Sequence, residues 1–225
     1  MKPLASILKT LSPTKVIDSS IHFSKYIALD LSVTNQELVE SKPENAAEFE
    51  RFISNYLEKN NAEVAFGGYI EGRTLYQRST IFKNDSIPER NIHIGLDLWT
   101  KANTAVLAPL DGKVHSFKNN VGLGDYGPTI ILEHEIENET FYTLYGHLSL
   151  ESIENLTVGT LFKKGEKIAT LGNSDVNGDY APHVHFQIIK NIEEYWGDYP
   201  GVCNTNDLNF YIENCPDPNL LLKIT

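Results

Sequence analysis

Between residues 91 and 190 the chain is written in short apolar runs cut by turn residues. NIHIGLDLW, TAVLAPLDGKVHSF, PTIILEHEI, TFYTLYGHL, EKIATLG and HVHFQII are rich in β-branched and aromatic residues. LDG, NNVGLGDYGP and NSDVNGDYAP fall between them. Runs of this length, bounded by Gly, Pro, Asp and Asn, read as strands. Parallel pairing would need a long crossover between strands, usually a helix, and no long helical pattern interrupts this stretch. The segment is therefore predicted to be antiparallel β.

The flanks have a different texture. KYIALDLSV, AEVAFGGYI and TLYQRSTIF read as strands, and SKPENAAEFERFISNYLEKNN reads as one helix. Ser41 followed by Glu44 has the form of a capping box, and Pro43 suits a first turn. Phe49, Phe52, Ile53, Tyr56 and Leu57 share one helical stripe, which is core packing. Asn60 and Asn61 mark the end of the helix. The expected class is mainly β with some α. Residues 1–87 form an N-terminal α/β extension with one helix and short strands packed on the core. Residues 88–190 form the core, and residues 191–225 a loop-rich tail.

Composition excludes some functions. Nineteen Lys and Arg against 30 Asp and Glu give a net charge of -11. Such a chain does not bind nucleic acid or an anionic membrane through bulk electrostatics. No run approaches the ~18 apolar residues of a membrane span. The N-terminal residues lack a continuous apolar export region, so the expected location is cytoplasmic. Cys203 and Cys215 are too few for a disulfide framework and lack the spacing of a zinc knuckle. They are expected to be reduced thiols.

Three patterns carry chemistry. In HVH, strand alternation puts His183 and His185 on the same face, roughly 6.5–7 Å apart at Cα. In NIHIGLDLW, His93 and Asp97 are four residues apart, about 13 Å if fully extended. To share one ion, the chain must bend between them, and Gly95 is where a bend costs least. YGHLS places His147 just before a polar turn. Together these are four imidazoles and one carboxylate. A catalytic zinc site takes three N or O ligands and keeps a position for water. Three ligands drawn from this set leave two histidines for proton and charge work. Geometry alone does not choose between His183 and His185 as the ligand.

The order H-x-x-x-D, Y-x-H-L-S, H-x-H-F, with VLAPLDGKVHSF, YGPTIILEH and FKKGEKIATLGNS between, closely resembles the lysostaphin/LytM-type zinc metallopeptidases over residues 88–190. The resemblance implies a LytM-like metallopeptidase core, an antiparallel sheet with a groove for Zn2+. It makes His93, Asp97 and His185 the zinc ligands and His147 and His183 the catalytic histidines. One of those two would take a proton from water, and the other would stabilise the oxyanion and help protonate the leaving amine. The implied substrate is a peptide or a peptidoglycan-derived peptide. GDYPGV and CPDPNLLL resemble the tail of a metallopeptidase-like domain fused to class III aminotransferases and kinase-like domains, an intracellular branch. The turn NSDVNGDYAP is longer and more acidic than the family's Ser/Thr-Gly-rich turn.

Two other readings stand beside this one. A degenerate relative would act as a non-catalytic binding or activator module, yet all five positions are intact. A lipoyl-like module would explain VLAPLDGKV but needs neither H-x-x-x-D nor H-x-H. His22, His115 and His134 have structural or surface readings, and Asp175 and Asp179 read as turn residues. Arg73 and Tyr76 stand just ahead of the core as candidates to reach substrate.

Overall fold

The computed structural model of the chain describes residues 2–73 and 89–224. The N-terminal segment runs through helix α1 (Leu4–Thr10), strand β1 (Tyr26–Ala28), helices α2 (Gln36–Ser41) and α3 (Ala46–Lys59), and strands β2 (Val64–Gly67) and β3 (Glu71–Gly72). There follow β4 (Ile92–His93), β5 (Leu96–Trp99), β6 (Ala105–Leu107), β7 (Gly112–Asn120), β8 (Gly127–Ile136) and β9 (Glu139–Gly146). Helix α4 (Glu151–Glu154), β10 (Leu161–Phe162), β11 (Lys167–Thr170) and β12 (His183–Ile189) complete the β-rich region. The chain closes with β13 (Val202–Cys203), α5 (Leu208–Asn214) and α6 (Asn219–Leu222). The predicted strand TLYQRSTIF and Tyr76 lie outside the described residues.

Eight strands form one sheet in the order β1-β2-β5-β12-β9-β8-β7-β10. Only β1 and β2 pair in parallel; the other neighbours are antiparallel. Two small sheets, β6 with β11 and β3-β4-β13, flank it. The antiparallel prediction is met, and β8 and β9 are joined by a tight turn. Between β8 and β9 stand Glu137 and Asn138, both at positive φ (50° and 65°), as a two-residue hairpin turn requires.

The two faces of the sheet divide the labour. Leu96, Leu98, Ile130, Leu132, Val184, Phe186 and Ile188 point into the main apolar core. Asp97 and Trp99, which alternate with the two leucines of β5, therefore face the other way, as do His183, His185 and Gln187 on β12. Every residue of β12 is buried, because that second face is covered too.

The N-terminal segment differs from its prediction in two ways. It extends the large sheet, since β2 pairs with β5 and β1 with β2. Among the described residues it also holds three α-helices rather than one. The predicted cap at Ser41–Glu44 is the break between α2 and α3. Lys42 adopts the left-handed conformation (φ 37°) directly before Pro43, which disfavours the helical region for its predecessor. The cap sits four residues on. The Asn45 side chain accepts from Glu48 N at 3.0 Å, and Glu48 Oε2 accepts from Glu44 N at 2.9 Å. The apolar stripe does pack as core. Phe49 and Ile53 lie against Leu29, Leu31, Ala65 and Trp99, and the other three stripe residues join them. The tail carries β13 and two short helices, more order than predicted. Both cysteines are buried free thiols. No helix among the described residues is long and apolar enough to cross a membrane.

Candidate metal centre and active site

Sheet register brings the candidate ligands together. His185 on β12 pairs with Asp97 on β5, and His183 with Trp99. His93 stands on β4, and the chain bends at Gly95 before β5 begins, as the four-residue spacing demanded. A side chain at Gly95 would collide with His185, since its Cβ would lie 2.4 Å from Cε1 of that ring. One atom each from His93, Asp97 and His185 lie within 4.8 Å of one another, and all three residues are buried. His93 Nε2 is 2.8 Å from His185 Nδ1. Asp97 Oδ1 is 3.3 Å from the first and 3.2 Å from the second.

Hydrogen bonds behind the rings determine which atoms converge. His93 Nδ1 donates to the Gly68 carbonyl at 2.8 Å. His185 Nε2 donates to Gln187 Oε1 at 2.9 Å, and Gln187 is fixed in turn by donating to the Pro200 carbonyl and Cys215 Sγ. With those nitrogens protonated, the two that face each other carry lone pairs in the neutral state. Two lone pairs and a carboxylate oxygen at hydrogen-bond distances, with no proton to share, form a set of donors for a cation. The residues fit a metal ion with N and O ligands.

His147 and His183 stand beside this cluster, their rings 4.1 Å apart. Each is oriented the same way: His147 Nδ1 donates to the Asn177 carbonyl at 2.8 Å and His183 Nδ1 to the Ala181 carbonyl at 2.7 Å. Nε2 is left as the acceptor on both rings. His183 Nε2 lies 4.0 Å from Asp97 Oδ1. His147 is in the left-handed conformation (φ 61°), a strained state for a residue with a side chain. Its backbone is pinned there by His147 N donating to Tyr126 O and Gly172 N donating to His147 O. The turn lifts the imidazole out of the alternation of β9.

Burial governs the proton affinities. It lowers His93 to about 4, with the Arg73 guanidinium acting in the same sense. Burial, then the neighbouring His183, holds His147 well below its usual range. Burial also lowers His183, although Asp97 opposes this. For Asp97 burial favours the neutral form, but His93, Arg73 and the His185 hydrogen bond outweigh it and keep the carboxyl well below the usual carboxylate range. Burial thus favours the neutral form of His93, His147 and His183, while Asp97 is held in its ionised form.

The five residues open on a cavity of about 280 Å³ whose wall includes Phe49, Trp99, Tyr126, Tyr180 and Tyr199. Arg73 also lines it, but its guanidinium is engaged with Asp97 and Glu71. His134 is buried between the Asp111 carbonyl and Thr143 Oγ1, and His22 caps a turn at the surface. His115 packs edge-on against Tyr142 and at a tilt against Trp196. Asp179 sits at φ 64°, a turn conformation. Sequence reasoning missed Gln187, Gly68 and Tyr126. Gln187 carried a signal, being the next same-face residue after His183 and His185. Gly68 and Tyr126 carried none.

Residues 91–195 match the model of peptidase family M23. This matched region, just under half of the chain, is similar to an M23 peptidase domain. All five site residues fall inside it, whereas Gly68 and Arg73 precede it and Pro200 follows it. A Haemophilus influenzae protein described as an uncharacterized metalloprotease is 34% identical over 99 residues, 44% of this chain and 19% of that protein. The chain thus spans under a fifth of that relative's length. Among solved structures, the catalytic domain of the antimicrobial peptidase lysostaphin from Staphylococcus simulans is 26% identical over 54% of this chain and 80% of that one, with a TM-score of 0.36. LytU is 27% identical over 60% of this chain and 81% of its own, with a TM-score of 0.37.

Proposed function

We propose that this chain is a zinc-dependent metallopeptidase of the lysostaphin/LytM type, hydrolysing a peptide bond in a peptide or peptidoglycan-derived substrate. One observation carries the reading. Two imidazole lone pairs and a carboxylate oxygen converge beside two further imidazoles whose Nε2 atoms remain acceptors. His93, Asp97 and His185 would hold zinc, which prefers this N and O donor set. Zinc bound there would polarise the scissile carbonyl and acidify a water molecule.

The remaining steps belong to His147 and His183. Each has its Nδ1–H tied to a carbonyl, so each offers Nε2 as a base and, once protonated, as a donor. One imidazole takes the proton of the attacking water. That proton is then handed on from Nε2 to the departing amine, and the other imidazole, in its protonated form, donates a hydrogen bond to the developing oxyanion. Burial lowers the proton affinity of both rings, which favours the neutral imidazole that the base role needs. The net charge of -11 supports a peptide rather than a nucleic acid or an anionic membrane as partner. Two buried free thiols are compatible with a cytoplasmic location.

Elemental analysis of protein purified without chelator should find about one zinc per chain. A peptide-library screen should then find cleavage that a chelator abolishes. A chain that neither holds zinc nor takes it up when supplied would refute the proposal.

A further inference from the structure

Asp97 uses its two oxygens differently. Oδ1 faces His93 Nε2 and His185 Nδ1. Oδ2 turns away and is held by Arg73 Nη1 at 2.5 Å. Arg73 is only 2% exposed, so this is a buried, charge-assisted contact rather than a surface pair. The guanidinium is itself held from behind. Its Nε donates to Glu71 Oε2 at 2.5 Å, and Glu71 Oε1 accepts from Leu31 N at 3.0 Å. Its carbon lies 5.5 Å from the Trp99 ring, on the strand that carries Asp97. At Gly68 (φ 107°) an added Cβ would lie 2.0 Å from Arg73 Nη2 and 2.8 Å from His93 Nδ1. One short stretch, residues 68–73, therefore backs two of the three candidate ligands from outside the region matched to M23.

A carboxylate beside a cation can present one oxygen or both. Occupying Oδ2 with a buried guanidinium leaves a single oxygen for the ion. We propose that Arg73, braced by Glu71, is a positioning residue that holds Asp97 to one-oxygen ligation and completes the metal centre from the N-terminal segment. This rests on the metallopeptidase reading above. Arginine suits the task because its planar fork spans Asp97 and Glu71 at once, which a lysine ammonium does not.

The test uses the full chain, with zinc affinity read by competition with a chromophoric chelator and cobalt(II) as a spectroscopic stand-in. Arg73→Met is expected to weaken zinc binding by roughly 10–100-fold, the range for lost support of a metal ligand. With Oδ2 released, Asp97 is expected to add its second oxygen. The visible cobalt bands should then lose intensity as the coordination number rises, a change that a merely structural residue would not produce. Arg73→Lys retains the charge and should fall between Met and the unaltered chain. If the Met variant does not fold, the Lys variant decides. A folded variant with zinc affinity within twofold of the unaltered chain and an unchanged cobalt spectrum would overturn the proposal. His93→Ala serves as the control. Binding lost there but kept in both Arg73 variants would overturn the role of Arg73 alone. No binding by the unaltered chain would overturn the metallopeptidase reading as well.

Discussion

The two histidines of HVH stand on one strand face and are turned differently by their hydrogen bonds. His185 turns Nδ1 to the ligand cluster because Gln187 holds its Nε2. His183 turns Nε2 toward the cavity because the Ala181 carbonyl holds its Nδ1. Replacing a ligand should release the metal, whereas replacing a proton carrier should spare it. His93→Ala, Asp97→Ala and His185→Ala are each expected to lose zinc. His183→Ala and His147→Ala should keep it while turnover falls by roughly 10²–10⁴-fold. Zinc content and rate, measured on the same preparations, separate the groups. Metal lost from His183→Ala but retained by His185→Ala would reverse the two roles. Gly95 gives a second residue-scale prediction. In Gly95→Ala the new methyl group must displace the His185 ring, so zinc affinity should drop by roughly 10–100-fold while the fold survives. Chelator competition alongside circular dichroism would show this, and native affinity would mean that the bend tolerates a side chain.

Among the elements, β12 does most to assemble the site. Its pairing with β5 aligns His185 with Asp97, and its pairing with β9 sets His185 opposite Gly146, one residue before His147. A slip of one residue would turn His183, His185 and Gln187 into the apolar core. The burial of Val184, Phe186 and Ile188 on the opposite face therefore fixes the register of the chemistry. Helix α3 has a more modest part, covering Trp99 with Phe49 and Ile53. Its start rests on Asn45, whose side chain receives Glu48 N. Asn45→Ala should cost about 1 kcal/mol. Urea unfolding should show a lower midpoint at unchanged slope, with zinc content unaltered. A Ser41→Ala variant should cost less, because Ser41 ends α2 rather than capping α3. Equal costs would restore the cap to the position that the sequence pattern suggested.

For the whole molecule, buried imidazoles link stability to pH. Burial lowers the proton affinity of His93, His134, His147 and His183 from the ordinary 6.5, to about 4 for His93. In that window the unfolded chain binds more protons than the folded one, so unfolding free energy rises with pH. The contribution is complete above pH 6.5 and is lost as pH falls toward 4. Asp97, also depressed, extends the same trend below its ordinary 3.8. Metal-free protein should show a progressive fall in unfolding midpoint from pH 7 to 4.5. Potentiometric titration of native and urea-unfolded protein should find excess proton uptake by the unfolded chain. A stability profile that is flat over this range would mean that the imidazoles titrate alike in both states.

The sequence by itself determined what local backbone geometry dictates. Short apolar runs between turn residues gave antiparallel strands. Alternation put His183 and His185 on one face, and the four-residue interval from His93 to Asp97 required the bend at Gly95. The order of the motifs resembled one family, and that resemblance, not geometry, divided ligands from proton carriers. Tertiary structure decided whatever depends on groups far apart in the chain. His93 and His185, 92 residues apart, meet through strand register. The nitrogen that each presents is chosen by Gly68 and Gln187, and the free oxygen of Asp97 by Arg73. The helix break at Pro43 was legible in principle, but the Ser41–Glu44 pattern competed with Asn45–Glu48. A repeat of two or 3.6 residues is written into every peptide unit. The partner of a buried donor is not, because it depends on which strands come to lie side by side.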